Sequence, residues 1–224
     1  MKPILYNTEM VRAIQNGTKT ATRRVVKPQP PATAHVVKTR YSWGWSWWED
    51  SDSHEMKPPY NPGAILYVRE TWGDYSECQP GGAGYYLYRA DYPDGAKTDT
   101  SWDGVIYDLP RWRPSIHMPR EAARIFLRVT DVRAQCVQDI TEEKARKEGC
   151  KDREDFHRVW DYCYSEPLPV KAKGIIHHYE SYPWEDIQET RTCRGKPWYV
   201  IGNPWVWVIE FERCERQEGD GHGD

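Results

Sequence analysis

Apolar and polar positions alternate in several short runs along the chain. The longest covers residues 125–133 and predicts an extended strand with one buried face. Shorter runs at 4–6, 23–26, 64–69, 85–89 and 205–211 predict further strands. Helical spacing replaces alternation in three places. Thr8 fits an N-cap, after which Met10, Ala13 and Ile14 share one face and Gly17 stands just past the end. Thr141 fits a second cap, with Glu142 and Glu143 in the favourable first turn and Gly149 as the stop. Residues 152–164 place Phe156, Val159, Trp160 and Cys163 on one face of a third helix.

Between these elements the pattern lapses. Residues 28–59 read as an insertion: Pro28, Pro30 and Pro31 break structure, and the alternation of Trp43, Trp45 and Trp47 fits one face of a hairpin strand. Residues 73–84 read as a glycine-rich loop and 90–111 as polar and irregular. The proline-bounded segment 112–119 reads as an ordered loop, followed by a helical turn at 120–124. Residues 165–202 show mixed charge and no clear period, and the chain from Cys214 onward is charged and glycine-rich. Short, widely spaced strands bracketed by helices predict an α+β fold. The expectation is one domain over 1–213, built as a small β-barrel with flanking helices, with both insertions on its rim and a tail at 214–224.

Composition changes this picture in one respect. The 224 residues carry a formal net charge of −3, so any nucleic-acid contact must come from a local basic patch. Aromatic usage is skewed to 12 Trp and 15 Tyr against 3 Phe, side chains that combine apolar area with a polar handle. None of the 6 cysteines forms a C-x-x-C pair, and no Cys/His spacing matches a metal site. No leader-like segment precedes residues 3–6 and no apolar run reaches membrane length. The expectation is a cytoplasmic protein with reduced thiols and no cofactor.

Candidate chemistry gathers at residues 17–24, where a lysine, several hydroxyls and two arginines lie between a helix exit and a strand. Such a turn suits an anionic ligand and suits a solvated loop equally. Within it Lys19 and Thr22 are three apart. Threonine is a weak nucleophile until a base takes its proton, and a lysine in a partly dry pocket can serve as that base. Glu148 stands in the last turn of the helix capped by Thr141. A carboxylate there opposes the helix dipole at a cost of about 0.3–1 kcal/mol, which invites a functional explanation.

Several stretches together resemble the ASCH domain family of the PUA-like superfamily, in its longer phage- and prophage-type members. They are residues 4–10, 17–24, 62–63 with 66–72, 88–91, 112–119, 141–149 and 203–208. The family pattern of Gly, Lys, acidic residue and Arg falls on Gly17, Lys19, Thr22 and Arg24, with threonine in the acidic position. The same departure marks the family members similar to bacterial N4-acetylcytidine amidohydrolases. The resemblance therefore implies a PUA-like barrel and a catalytic set of Lys19, Thr22 and Glu148. It also implies a pocket for a modified nucleoside or single-stranded RNA.

An extruded base would stack on aromatic faces, for which Trp72, Trp112 and the 43–48 cluster are candidates. Arg23, Arg24, Arg69 and Arg113 are candidates for phosphate contact, and Arg69 with Glu70 for an internal ion pair beside the pocket. Ser115 and His117 look like a nucleophile and base, but no acid stands to orient the histidine. The His177-His178 pair has no matching ligand set and reads as surface. Two functions follow as expectations. One is hydrolysis of an N-acyl group from a modified cytosine, with Lys19 as base, Thr22 as nucleophile and Glu148 as proton donor or water activator. The other is recognition of a modified base or RNA without chemistry; a ribonuclease is a third.

Overall fold

A computed structural model describes residues 1–27, 30, 35–38, 45–49, 52–75, 85–100, 104–164, 170–172, 175–177, 184, 188–193, 196–201 and 203–216. In chain order the elements are β1 (Lys2–Leu5), α1 (Thr8–Gln15), β2 (Ala21–Val25), β3 (His35–Lys38), β4 (Trp45–Glu49), β5 (Asp52–Met56), β6 (Ile65–Arg69) and β7 (Trp72–Asp74). There follow β8 (Tyr86–Tyr88), β9 (Thr98–Thr100), β10 (Ile106–Asp108), β11 (Phe126–Cys136), α2 (Glu142–Lys147) and α3 (Arg153–Tyr164). The chain closes with β12 (Val170–Ala172), β13 (Ile175–His177), β14 (Gln188–Cys193), β15 (Lys196–Ile201) and β16 (Trp205–Cys214). The class is α+β with strands dominant. The principal sheet runs β1-β6-β11-β16-β2, and among the described residues it is not closed into a barrel.

The chain divides into two compact units that interleave in sequence. One holds residues 1–19, 63–129 and 211–224; the other holds 20–62 and 130–210. In the first unit β1 runs parallel to β6, and β6 pairs antiparallel with the start of β11 through Tyr67 and Phe126. Its α1 starts at Asn7, whose side chain accepts from the Met10 amide at 2.9 Å, so the cap is Asn7 rather than Thr8. Asn7 precedes the first helical residue and has extended backbone, as a capping oxygen requires. Val11 and Ile14 are the buried positions of α1, and Gly17 closes it at φ 79°. Trp72, Met118, Ala122, Ala123 and Phe126 form one buried apolar cluster. The 90–111 stretch, expected to be irregular, contains the β9–β10 hairpin. Its polar alternation hides the pairing, but Tyr92 and Tyr107 both donate to Asp99, at 2.8 and 3.0 Å, and pin it.

In the second unit β16 pairs antiparallel with β2, setting Val206 opposite Val25, Trp207 opposite Arg24, Val208 opposite Arg23 and Ile209 opposite Thr22. Val206 and Val208 face α2 and α3 in a cluster with Val137, Ile140, Ala145, Phe156 and Trp160. Full burial of side chains such as Phe156 or Trp160 contributes roughly 1.5–3 kcal/mol each. The first insertion forms a meander, β3-β4-β5, in which Trp45 and Trp47 alternate along the central strand. Trp45 of β4 meets Trp207 edge-on at 6.2 Å between ring centroids. Trp43 lies outside the described residues. The second insertion, read as lacking a period, forms the hairpins β12–β13 and β14–β15 among its described residues. Its Trp184 stacks on His157 of α3 at 3.5 Å and donates to Asp161. Among the described residues no helix is long and apolar enough to cross a membrane.

Candidate active site

The second unit carries the stronger concentration of buried polar groups. Strand β2 presents Ala21, Arg23 and Val25 to one face and Thr22 and Arg24 to the other, because side chains alternate along a strand. Val25 and Val208 place the first set on the helix side. Thr22 and Arg24 share the face of Trp207 and Ile209. Thr22 is only 1% exposed.

Glu148 reaches this strand from α2. Thr141 Oγ1 accepts from the Lys144 amide at 3.3 Å and starts the helix. At the other end the Gly149 amide donates to Arg146 and the Cys150 amide to Ala145, a Schellman closure with Gly149 at φ 84°. Glu148 is thus the C-cap, with backbone still near helical values, and the stop signal at Gly149 is what fixes its position. The Thr20 amide donates to the Lys147 carbonyl at 2.8 Å, holding this helix end to the segment that leads into β2. Glu148 is buried, and its carboxylate accepts from Arg23 Nη1 at 2.9 Å. The Arg23 guanidinium also lies 5.6 Å from the Phe156 ring centroid. Its Nε is buried and has no hydrogen-bond partner among the described residues. Arg23, expected to contact phosphate, instead has its side chain 2% exposed and is engaged with Glu148.

Arg24 is half-buried, and its Nη1 donates to the Arg23 carbonyl at 3.3 Å. Its positive charge acts on the hydroxyls of Tyr164, at the end of α3, and of Tyr60. Burial raises both hydroxyls above the ordinary tyrosine range, while the nearby guanidinium works in the opposite direction. Neither Tyr60 nor Tyr164 stands out in the sequence. The only signal for Tyr164 is its i+4 spacing from Trp160, on whose ring it lies at 4.3 Å.

Lys19 is the last residue of the first unit and is 2% exposed. Its amide donates to the Ala13 carbonyl, and its Nζ stands 5.5 Å from the centre of the Tyr6 ring. Arg69, Glu70, Trp72, Trp112, Arg113, Ser115 and His117 also belong to the first unit. Arg69 and Glu70 do not form the expected pair. Arg69 Nε donates to the Met118 carbonyl at 2.8 Å, whereas Glu70 takes two hydrogen bonds from Arg124, each at 2.9 Å. Neighbours in a strand point to opposite faces, so a sequence-adjacent pair there is the less favoured geometry. Arg124 also bonds Asp91 and lies 3.8 Å from the Tyr88 ring centroid.

Trp72, expected as a stacking wall, is 5% exposed and packed in the core of its unit, with the Arg113 guanidinium 5.1 Å from its ring centroid. Trp112 is half-buried against Tyr92 and near Arg89. Ser115 and His117 share one 3-10 turn in which His117 is exposed. His178 and the His177 side chain lie outside the described residues. Among the described residues no group of three His, Cys, Asp or Glu side chains is arranged to hold a metal. No family model, curated protein or solved structure matches this chain.

Proposed function

We propose that the protein binds a modified cytosine nucleoside and hydrolyses its N-acyl group, as the resemblance to ASCH-type amidohydrolases implies, on a PUA-like barrel. The observation that carries this reading is the buried Arg23–Glu148 pair, whose arginine stands on the same strand, β2, that buries Thr22 on its opposite face. Burying a charge costs several kcal/mol before its partner offsets it. Thr22 is the nucleophile of the reading, with Lys19, three residues earlier in the chain, as the base that takes its proton. Attack of Thr22 Oγ1 on the acyl carbon forms the ester bond and breaks the carbon–N4 bond. The proton taken by Lys19 passes to N4 so that cytidine leaves, and water then hydrolyses the acyl-threonine to the free acid and threonine. A carboxylate that already holds a guanidinium is an acceptor, so of its two expected roles Glu148 is better suited to activating that water.

The same pair also favours a second reading, recognition of the modified base or of single-stranded RNA without turnover. A carboxylate clasped by arginine can simply order the strand that lines a pocket. Incubation with N4-acetylcytidine separates the two. The first reading expects cytidine release that disappears in Thr22→Ala and Lys19→Ala. Binding without release by the wild-type protein would select the second.

A further inference from the structure

Two guanidiniums of the first unit converge on one exposed carboxylate. Arg12 reaches out from α1, and Arg89 follows directly on β8. Both are half-buried, and backbone carbonyls hold them in place. Arg12 Nε donates to the Ala90 carbonyl at 3.1 Å, and its Nη2 donates to the Tyr92 carbonyl. Arg89 Nη1 donates to the Tyr92 and Pro93 carbonyls, each at 2.9 Å. The Arg89 guanidinium also stands 5.8 Å from the Trp112 ring centroid, and Tyr92 braces Trp112 at 5.7 Å between ring centroids. The two arginines share Asp94. Arg12 Nη1 and Nη2 donate to its Oδ1, each at 3.2 Å, and Arg89 Nη2 donates to the same oxygen at 3.4 Å. Three donors crowd one oxygen, each farther off than the roughly 2.7–2.9 Å of a good charge-assisted bond. Asp94 is 79% exposed, in a turn closed by the Ala96 amide donating to the Pro93 carbonyl at 3.2 Å. Water competes for so exposed a carboxylate, and such a pair contributes little to stability. The neighbouring Asp91 accepts from Arg124 and Gln15 and so has partners of its own. Asp94 is thus the replaceable part of the cluster, while the carbonyls keep both guanidiniums aimed. A phosphate offers more charge than one carboxylate and an oxygen for each donor, which suits the planar fork of arginine.

We propose that Arg12 and Arg89 form a binding site for a phosphate group, which Asp94 occupies until a ligand displaces it. The site lies wholly within the first unit. It stands whether or not the protein hydrolyses or binds an acylated cytosine. Asp94 also sets the selectivity, because only a ligand with more charge or more oxygens than one carboxylate gains from the exchange.

The test is calorimetric titration of the full-length protein, at low salt, with inorganic phosphate, cytidine 5′-monophosphate and a cytidine dinucleotide. Asp94→Asn removes the resident charge and keeps an acceptor oxygen in the turn. It is expected to bind the preferred probe about tenfold more tightly than the wild type does, the scale of one charge-assisted hydrogen bond. A loss of structure cannot produce that gain. Asp108→Asn removes an exposed carboxylate of β10 in the same unit and should leave affinity nearly unchanged, so a gain from net charge alone would show there too. In the Asp94→Asn background, Arg12→Gln and Arg89→Gln should each abolish the gain, and Arg89→Lys should restore only part of it, since a point charge does not replace the fork. The probe that binds best names the source of the phosphate: the free ion, a mononucleotide or the diester of a strand. No tightening in Asp94→Asn, equal tightening in Asp108→Asn, or a gain that survives both glutamine variants overturns the site. Failure of all three probes to bind Asp94→Asn overturns it as well, and leaves the outcome of the N4-acetylcytidine assay unaffected.

Discussion

Each unit of the molecule buries one glutamate against an arginine, and the two pairs are finished differently. In the first unit Glu70 receives both of its bonds from Arg124 in a fork, and Arg124 extends to Asp91 and covers the Tyr88 ring. In the second unit Glu148 accepts from Arg23 Nη1, and the Arg23 Nε is a buried donor without a hydrogen-bond partner among the described residues. A complete fork holds structure together and leaves little to exchange with a ligand. A buried donor left over is uncommon in folded proteins and calls for an explanation. The comparison motivates reading the first pair as structural and the second as the candidate site.

The comparison can be broken at either pair. Arg124→Met leaves Glu70 buried without its fork and should destabilise the protein by about 3–5 kcal/mol, read as a lower urea midpoint at unchanged slope. Glu148→Gln keeps an acceptor for Arg23. It should lower turnover of an N4-acylcytidine about 100-fold or more with a much smaller shift in midpoint. If the two substitutions had equal effects on stability and neither touched activity, the distinction between the pairs would collapse.

Smaller changes sharpen it. Thr141→Ala removes the cap of α2 and should cost about 1 kcal/mol, with loss of activity exceeding loss of stability because Glu148 sits at the other end of that short helix. The structural pair also has a signature in alkali. Tyr88 donates to the Ala122 carbonyl at 2.6 Å, and burial pushes its hydroxyl up from 10.0 to about 12. The unfolded chain then loses this proton first. Stability contributed by Tyr88 is therefore complete below pH 10 and falls as pH rises towards about 12. Tyr88→Phe should flatten that part of the pH–stability curve, measured by denaturation at stepped pH, while leaving nucleoside binding unchanged.

Much of the fold is legible in local pattern. The strands at β6, β11 and β16 follow from alternation, and α2 and α3 follow from spacing and caps, each with boundaries shifted by a few residues. Glu148 was also legible, because the Gly149 stop and the Thr141 cap place it at a helix end by local rules alone. The strands of both insertions and the β9–β10 hairpin were not read as such. Their sequences are polar or proline-broken, and their pairing is settled by partners distant in the chain or by hydrogen bonds such as those to Asp99.

What the sequence determined by itself is therefore periodicity and punctuation: the helices, the longer strands, and the placing of Lys19, Thr22 and Glu148 at element ends and on a strand. Those features depend on backbone hydrogen bonds and capping within a few residues, which local residue identity controls. Tertiary structure decided the partners. It gave Glu148 to Arg23 and Glu70 to Arg124, across separations no local rule reaches. The physical reason is burial. A charge taken out of water must find its counter-charge wherever the fold brings one close, and that proximity is a property of packing, not of spacing.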